Sequence, residues 1–279
     1  MAIQKTHAFT RKILCLWMFG ALLTNSGYSQ DGQSQLEKPA YAVDRANVPD
    51  AIAKVKSGEF ALVHVDMIAR ANAVEAIPIL KEQFVHVQDP LAKAKIAAAL
   101  LRLGDKDDSY WDFLVKQVQP AWESDAPSFL AYDSQGNAIP GPSPEFAAWV
   151  KTHNLRPDSA AEDSFYMLPA NVLNFGWSRD PRAIPFLRRA LSSPNYMIEI
   201  AAALGVAEIG DKDSIPFIIE ACKKAPSDVA AVIAKSLIYF DSAEAQSAVD
   251  KFIPRHLADM YRDARTHGEK TPFSIPWAN

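Results

Sequence analysis

The sequence predicts an all-α protein, a solenoid of about five to six stacked helix pairs with a loop-rich insertion in its middle. A five-residue motif carries the first part of that expectation. Ala76-Ile77-Pro78-Ile79-Leu80 recurs as Ala183-Ile184-Pro185-Phe186-Leu187 and again as Ser214-Ile215-Pro216-Phe217-Ile218. A turn motif carries the second: Gly104-Asp105-Lys106-Asp107 returns as Gly210-Asp211-Lys212-Asp213. The third observation is an Ala-rich apolar run before each glycine, at residues 96–101 and 200–204, with a further copy at 232–238.

Pro185 and Pro216 are 31 residues apart, which sets the unit as helix, short turn, helix, tight turn. Asp180 and Asp213 stand where a side-chain oxygen can accept from the unpaired N–H groups of a first helix. The motif prolines fall in the first turn, where a missing N–H costs nothing. Asp89-Pro90 and Ser193-Pro194 open the second helices in the same way, and Gly104 and Gly210 end them in the left-handed conformation that glycine tolerates. Along the second helices Ala97, Ala203 and Ala234 alternate with Leu100, Val206 and Leu237, so that neighbours approach closely while the larger chains fill the groove. Leu100 and Ile209 are expected core positions. Such units cannot bury their apolar face alone and must stack.

The block resembles the HEAT-like repeats of phycobilisome lyases, in which Ala-Ile-Pro-x-Leu and a helix ending in Gly-Asp are typical. It is seen at residues 76–107 and best at 180–241. The resemblance implies a repeat surface that serves as scaffold, adaptor or, in a few relatives, lyase. Fold alone does not choose among these.

The phase exposes the insertion. Pro78 and Pro185 lie 107 residues apart where two units would span 62, leaving 45 extra, and composition changes between Gln119 and Ala160. Residues 108–118 read as a first helix, residues 119–160 as the insertion, and residues 162–175 as the delayed second helix, with Pro169 kinking or breaking it. The array is assigned to 48–255, opened by a divergent pair at 48–57 and 60–71. A capping helix and tail occupy 256–279, and a polar spacer fills 30–47.

Residues 1–29 read as a secretory signal peptide: Lys5, Arg11 and Lys12, an apolar run at 13–23, then Gly27 and Ser29 before a cut at Gln30. The run is too short to cross a bilayer stably. Residues 12–14 lack the small side chains that precede a lipid-modified cysteine at Cys15. The reading places the protein outside the cytoplasm, in the periplasm or beyond the cell, with no membrane span in the mature chain. Removing three positive charges and no negative ones moves the net charge from −4 to −7. With no basic block, a nucleic-acid partner is not expected. One cysteine, Cys222, remains, so the mature chain forms no internal disulfide.

The insertion supplies the candidate site. Trp122, Phe129, Tyr132, Phe146 and Trp149 sit among Pro120, Pro127, Pro140, Gly141, Pro142 and Pro144, with a turn at 132–137 and a short helix opened by Ser143. Aromatic side chains on a loop-rich excursion suit a protein-binding patch. They suit equally a satellite core folded back on Trp111, Phe165 and Trp177. His256, Asp259, Asp263 and His267 share a helix face but spread over more than one turn beside Arg255, Arg262 and Arg265, so ion pairing rather than a metal is expected. Asp105, Asp107 and Asp108 mimic the start of a calcium loop without its glycine or terminal glutamate. Cys222 reads as a buried thiol, and His64 and His86 as packing or capping residues. No catalytic motif is found, and no cofactor or metal is expected. These readings converge on an exported, non-catalytic scaffold whose repeat surface binds another protein. A lyase-like protein holding a chromophore or other small ligand is the alternative.

Overall fold

The computed structural model describes residues 45–267, except Asn137. The stretches read as signal peptide (1–29), spacer (as far as residue 44) and tail (from 268) lie outside the described residues. Residues 45–47 form a 3-10 turn. The first pair is α1 (Val48–Ser57) and α2 (Leu62–Arg70), and the second α3 (Ile77–His86) and α4 (Pro90–Arg102). The third pair is split. After α5 (Asp108–Glu123) come strands β1 (Leu130–Tyr132) and β2 (Ala138–Pro142), then the short helices α6 (Pro144–Thr152) and α7 (Pro157–Glu162), and only then its second helix α8 (Leu168–Trp177). Next follow α9 (Ile184–Ala190) with α10 (Tyr196–Ile209), α11 (Ile215–Lys224) with α12 (Ser227–Lys235), and α13 (Ala243–Phe252) with α14 (Arg255–His267).

The second helices α2, α4, α8, α10 and α12 pack on one another in that order and make one layer; first helices such as α1 and α3, α5 and α9, and α11 and α13 make the other. This is an all-α solenoid, and one apolar cluster runs through it from Val48 to Ala258. Leu100 is wholly buried, whereas Ile209, on the last turn of α10, is only half-buried.

The repeat chemistry is local and visible. Asp89 Oδ1 accepts from the Ala92 N–H at 2.8 Å, and Asp180 Oδ1 from the Arg182 N–H at 2.9 Å. Asp213 makes no such cap. Its place is taken by Asp211, which holds the Arg188 guanidinium at 2.8 Å and the Ser214 hydroxyl. The reason is register: Asp211 stands five residues before Pro216, as Asp180 does before Pro185. Pro194 stays outside α10, and Asn195 caps it instead, accepting from the Met197 N–H at 3.0 Å. Second helices end with a left-handed residue in four successive units: Asn72 (φ 54°), Gly104 (φ 88°), Arg179 (φ 58°) and Gly210 (φ 82°).

Pro169 stands in the first turn of α8, directly after a π-helical turn rather than at a gap in the helix. The chain is helical from α7 to α8, and the turn before the proline, Asp163–Met167, widens to a π-helix in which the Leu168 N–H bonds Asp163 O. That widening accommodates a residue with no N–H to donate. Asn195 Nδ2 then ties this turn to the start of α10, donating to Ser164 O at 2.7 Å. Between α8 and α10 the backbones touch at Gly176 and Gly205: a β-carbon on Gly176 would stand 2.2 Å from Gly205 Cα. No helix among the described residues is long and apolar enough to cross a membrane.

Candidate protein-binding surface

The insertion begins where α5 ends. Its strands pair antiparallel, Tyr132 opposite Ala138 and Ala131 opposite Ile139, with an irregularity between Leu130 and Ala131. Ser143 closes the hairpin and opens α6 at once. Its N–H donates to Phe129 O at 2.8 Å, its hydroxyl donates to Ser128 O at 2.7 Å, and the same oxygen accepts from the Phe146 N–H at 3.1 Å. Below lies a small core of Phe146, Val150 and Ala160, flanked by Phe129, Trp149 and Ala161 and separate from the main one.

The five aromatic residues divide by environment. Phe146 is buried, with its ring 5.3 Å from Phe129 and 5.9 Å from Trp149. Trp122 is half-buried against the array, stacked on Phe186 at 4.5 Å with Phe175 at its edge. Phe129, Tyr132 and Trp149 are half-buried at the insertion's surface. Phe129 meets Phe165 at 6.1 Å. Trp149 lies 4.8 Å from the His153 ring, and its Nε1–H donates to Asp125 Oδ1 at 2.8 Å. Tyr132 meets Tyr196 at 5.8 Å, and burial raises its hydroxyl pKa above the usual tyrosine value. Ile139 and Leu155 add exposed aliphatic side chains.

The hairpin tip reaches two units further along the array. Ser227 Oγ donates to Gly136 O at 3.4 Å, and a β-carbon on Gly136 would stand 2.9 Å from that hydroxyl oxygen. Trp111 packs on Phe175 at 4.9 Å. Trp177, expected beneath the insertion, is elsewhere.

Trp177 lies among charges on the second-helix layer. Lys95 Nζ stands 3.4 Å above its ring and the Arg102 guanidinium 4.9 Å from it. Lys95 and Arg70 share Asp66, at 2.9 and 2.6 Å. Arg102 and Arg179 share Glu208, whose side chain is fully buried. Oε1 takes Arg102 Nη1 and Arg179 Nη2, each at 2.7 Å, and Arg179 Nε at 2.8 Å. Arg102 Nη1 also donates to Trp177 O at 3.1 Å. Glu208 Oε2 and Trp177 Nε1 are buried without a partner. Burial lowers the pKa of Lys95 and of Arg102, and Asp66 and Glu208 respectively oppose it. Sequence reasoning missed this cluster because its members lie up to 142 residues apart. One signal was there: Arg179 holds the turn position that Gly104 and Gly210 hold in other units.

The remaining sequence candidates are accounted for by ordinary contacts. On α14, Arg262 pairs with Asp250 at 2.6 Å, and Arg265 with Asp241 at 2.6 Å. Asp105 takes Lys81 at 2.7 Å, and Asp107 caps α5 through the Ser109 N–H at 2.9 Å. Among the described residues no three His, Cys, Asp or Glu side chains are grouped to hold a metal ion. His64 Nδ1 accepts from the Ala61 N–H at 3.0 Å.

A family model of HEAT repeats matches residues 170–238, which span α8 to α12. The chain therefore carries HEAT-like repeats. Neither a curated protein nor a solved structure matches it.

Proposed function

We propose that the chain is an exported, non-catalytic binding protein that holds a protein partner on its HEAT-repeat surface. The observation that carries this reading is a continuously packed stack of repeats from which an anchored excursion presents half-buried Phe129, Tyr132 and Trp149 beside exposed Ile139 and Leu155. Stacked repeats bind extended partners through many contacts along one face, and aromatic side chains at a partly exposed edge are the residues that dominate interface energy. The lyase-like alternative is not favoured, because Phe146 is spent on the satellite core and Trp122 on the array.

Two experiments test the two halves. Native full-length protein is cross-linked in its own compartment and its partners are identified by mass spectrometry. Trp149→Ala and Tyr132→Ala should reduce recovery of the partner at a temperature where circular dichroism shows both variants still folded. Recovery unchanged in both variants removes the insertion from the binding surface. For export, the mature N-terminus is sequenced: a start at Gln30 in the secreted or periplasmic fraction is expected. An intact leader in the cytoplasm rules export out.

A further inference from the structure

The insertion is acidic out of proportion to its length. Residues 119–160 hold the carboxylates Glu123, Asp125, Asp133, Glu145 and Asp158 against Lys151 and Arg156, a net charge of −3 where the whole chain carries −4. In the array, Asp66, Asp180, Asp211 and Glu208 are each held by arginine or lysine. In the insertion, Glu123, Asp125, Glu145 and Asp158 are exposed and have no arginine or lysine partner among the described residues.

Two of these carboxylates stand beside the aromatic residues of the candidate surface. Asp125 Oδ1 accepts from Trp149 Nε1–H at 2.8 Å, and the basic group beside it is His153, at 3.9 Å. Glu145 precedes Trp149 by four residues on α6, one turn along the same face, whereas Lys151, two residues after it, lies off that face. From there the strip crosses onto the array. Tyr132 of the hairpin meets Tyr196 of α10 at 5.8 Å, and the hairpin tip is fastened to Ser227, which opens α12 and is followed by exposed Asp228. Burial, then Asp228, raises the Tyr132 hydroxyl pKa; burial, then Glu199 and Glu145, raises that of Tyr196. Carboxylates from α6, α10 and α12 thus converge on one pair of rings. Lys223 and Lys224 lie on Glu220, at 3.4 and 3.5 Å, and Lys224 also acts on Glu199.

We propose that this strip, from Asp125 and Trp149 through Glu145 and Tyr196 to Tyr132 and Asp228, binds an arginine-rich segment of the partner protein. The inference deepens the protein-binding reading and rests on it: it names the partner's chemistry and adds α10 and α12 to the insertion's contact surface. A carboxylate takes a guanidinium fork through both oxygens, and the faces of Trp and Tyr attract the same planar cation. Groups spread over the insertion and two repeat units suit an extended chain better than a single small cation. Nucleic acids and anionic bilayers are repelled by the same carboxylates.

The test is fluorescence anisotropy on the full chain with labelled peptides of about ten residues, one alternating Arg and Ser and one alternating Glu and Ser, with spermine as competitor. The arginine peptide is expected to bind, and its affinity to fall as salt rises. The double variant Glu145→Gln/Asp228→Asn is expected to weaken it about tenfold, at a temperature where circular dichroism shows the variant folded. Asp50→Asn/Glu82→Gln, which removes two exposed carboxylates from α1 and α3, should bind as the parent does. The inference is overturned if the arginine peptide does not bind at low salt, if the acidic peptide binds as tightly, or if Glu145→Gln/Asp228→Asn leaves affinity unchanged. Equal losses in the two double variants reduce the effect to general charge and overturn it as well, and spermine binding as tightly as the peptide overturns the assignment to a protein segment. Should a native partner be captured through Trp149 while the arginine peptide fails, the scaffold reading stands and this one falls. Should the peptide bind at this strip while no native partner is recovered, the chemistry of the surface stands and the native protein partner does not.

Discussion

Replacing Gly176 by alanine is the sharpest test of how the second-helix layer is packed. A β-carbon there would lie 2.2 Å from Gly205 Cα, 3.0 Å from its carbonyl carbon and 3.3 Å from its carbonyl oxygen. All three neighbours are backbone, so no side chain can rotate away, and α8 and α10 must part by about 1.3 Å to restore carbon–carbon contact near 3.5 Å. That separation runs through the most intimate contact in the layer, beside buried Val172, Phe175, Trp177, Ala201 and Ala202. It also stretches the 2.7 Å contact between Arg179 and Glu208. Overpacking of this kind costs about 1–3 kcal/mol or more, and alanine's better helix propensity returns about 1 kcal/mol. With rigid neighbours the upper part of the range applies, so a net loss of about 2 kcal/mol and a fall in melting temperature of about 4–8 °C are expected. The assay is thermal unfolding followed by circular dichroism at 222 nm, with Gly205→Ala alongside. On Gly205 the added carbon meets Gly176 Cα at 3.1 Å and two Leu187 methyls at 3.2 Å, and a leucine can shift. Gly205→Ala should therefore be much the milder change. Equal melting temperatures for the two variants, or the reverse order, would refute the backbone-contact reasoning.

Three further outcomes follow from buried polar groups. Glu208→Ala should cost about 3–5 kcal/mol in urea unfolding, because it leaves the Arg102 guanidinium buried without its carboxylate; Arg102→Met in the same chain should recover part of that loss. Burial raises the Glu199 carboxyl from 4.5 to about 8, opposed by Lys224. Between those values the folded state holds more protons than the unfolded one, so stability declines as pH rises from about 4.5 to 8, by at most about 1.4 kcal/mol per pH unit. Urea melts at pH 5 and pH 8 should show the decline in the parent and a flatter profile in Glu199→Gln; a parent more stable at pH 8 contradicts it. Burial pushes the Cys222 thiol up to about 12, so iodoacetamide should leave it unmodified in the folded protein at pH 8 and alkylate it in urea.

How far the sequence reveals this structure depends on the range of the interaction that decides each feature. Ala-Ile-Pro-x-Leu and Gly-Asp-Lys-Asp are read locally: a proline in the first turn and a glycine after the last are each explained by their own backbone. The layers and their order were accordingly legible. The place of Asp211, whose carboxylate holds Arg188 and Ser214 rather than a helix N–H, required counting back from Pro216 instead of taking the nearest aspartate, and Asn195 displaced Ser193-Pro194 because its side chain also reaches Ser164. Of the five insertion aromatics, the burial of Phe146 was not legible, since Val150 and Ala160 close over it only once α6 and α7 fold together. Glu208 was the hardest residue to read. In Gly205-Val206-Ala207-Glu208-Ile209 a lone glutamate suggests the solvent face of a helix. It is instead buried, because Arg102 and Arg179 arrive from other units.

The third unit departs from the repeat at both ends of α8, and the two departures have one physical consequence. At its entrance lie the insertion, the π-turn at Asp163–Met167 and the Asn195–Ser164 hydrogen bond; at its exit lie Trp177 and the left-handed Arg179. Between them every residue from Asn171 to Ser178 is buried. A helix buried from Asn171 onward and joined to α10 backbone to backbone has little room to bend locally. The insertion and the Trp177–Glu208 charge cluster therefore sit at opposite ends of one packed helix, which argues that a partner reaching both would meet preformed surfaces. Their spacing would be fixed by ten residues of helix rather than by the flexibility of a loop.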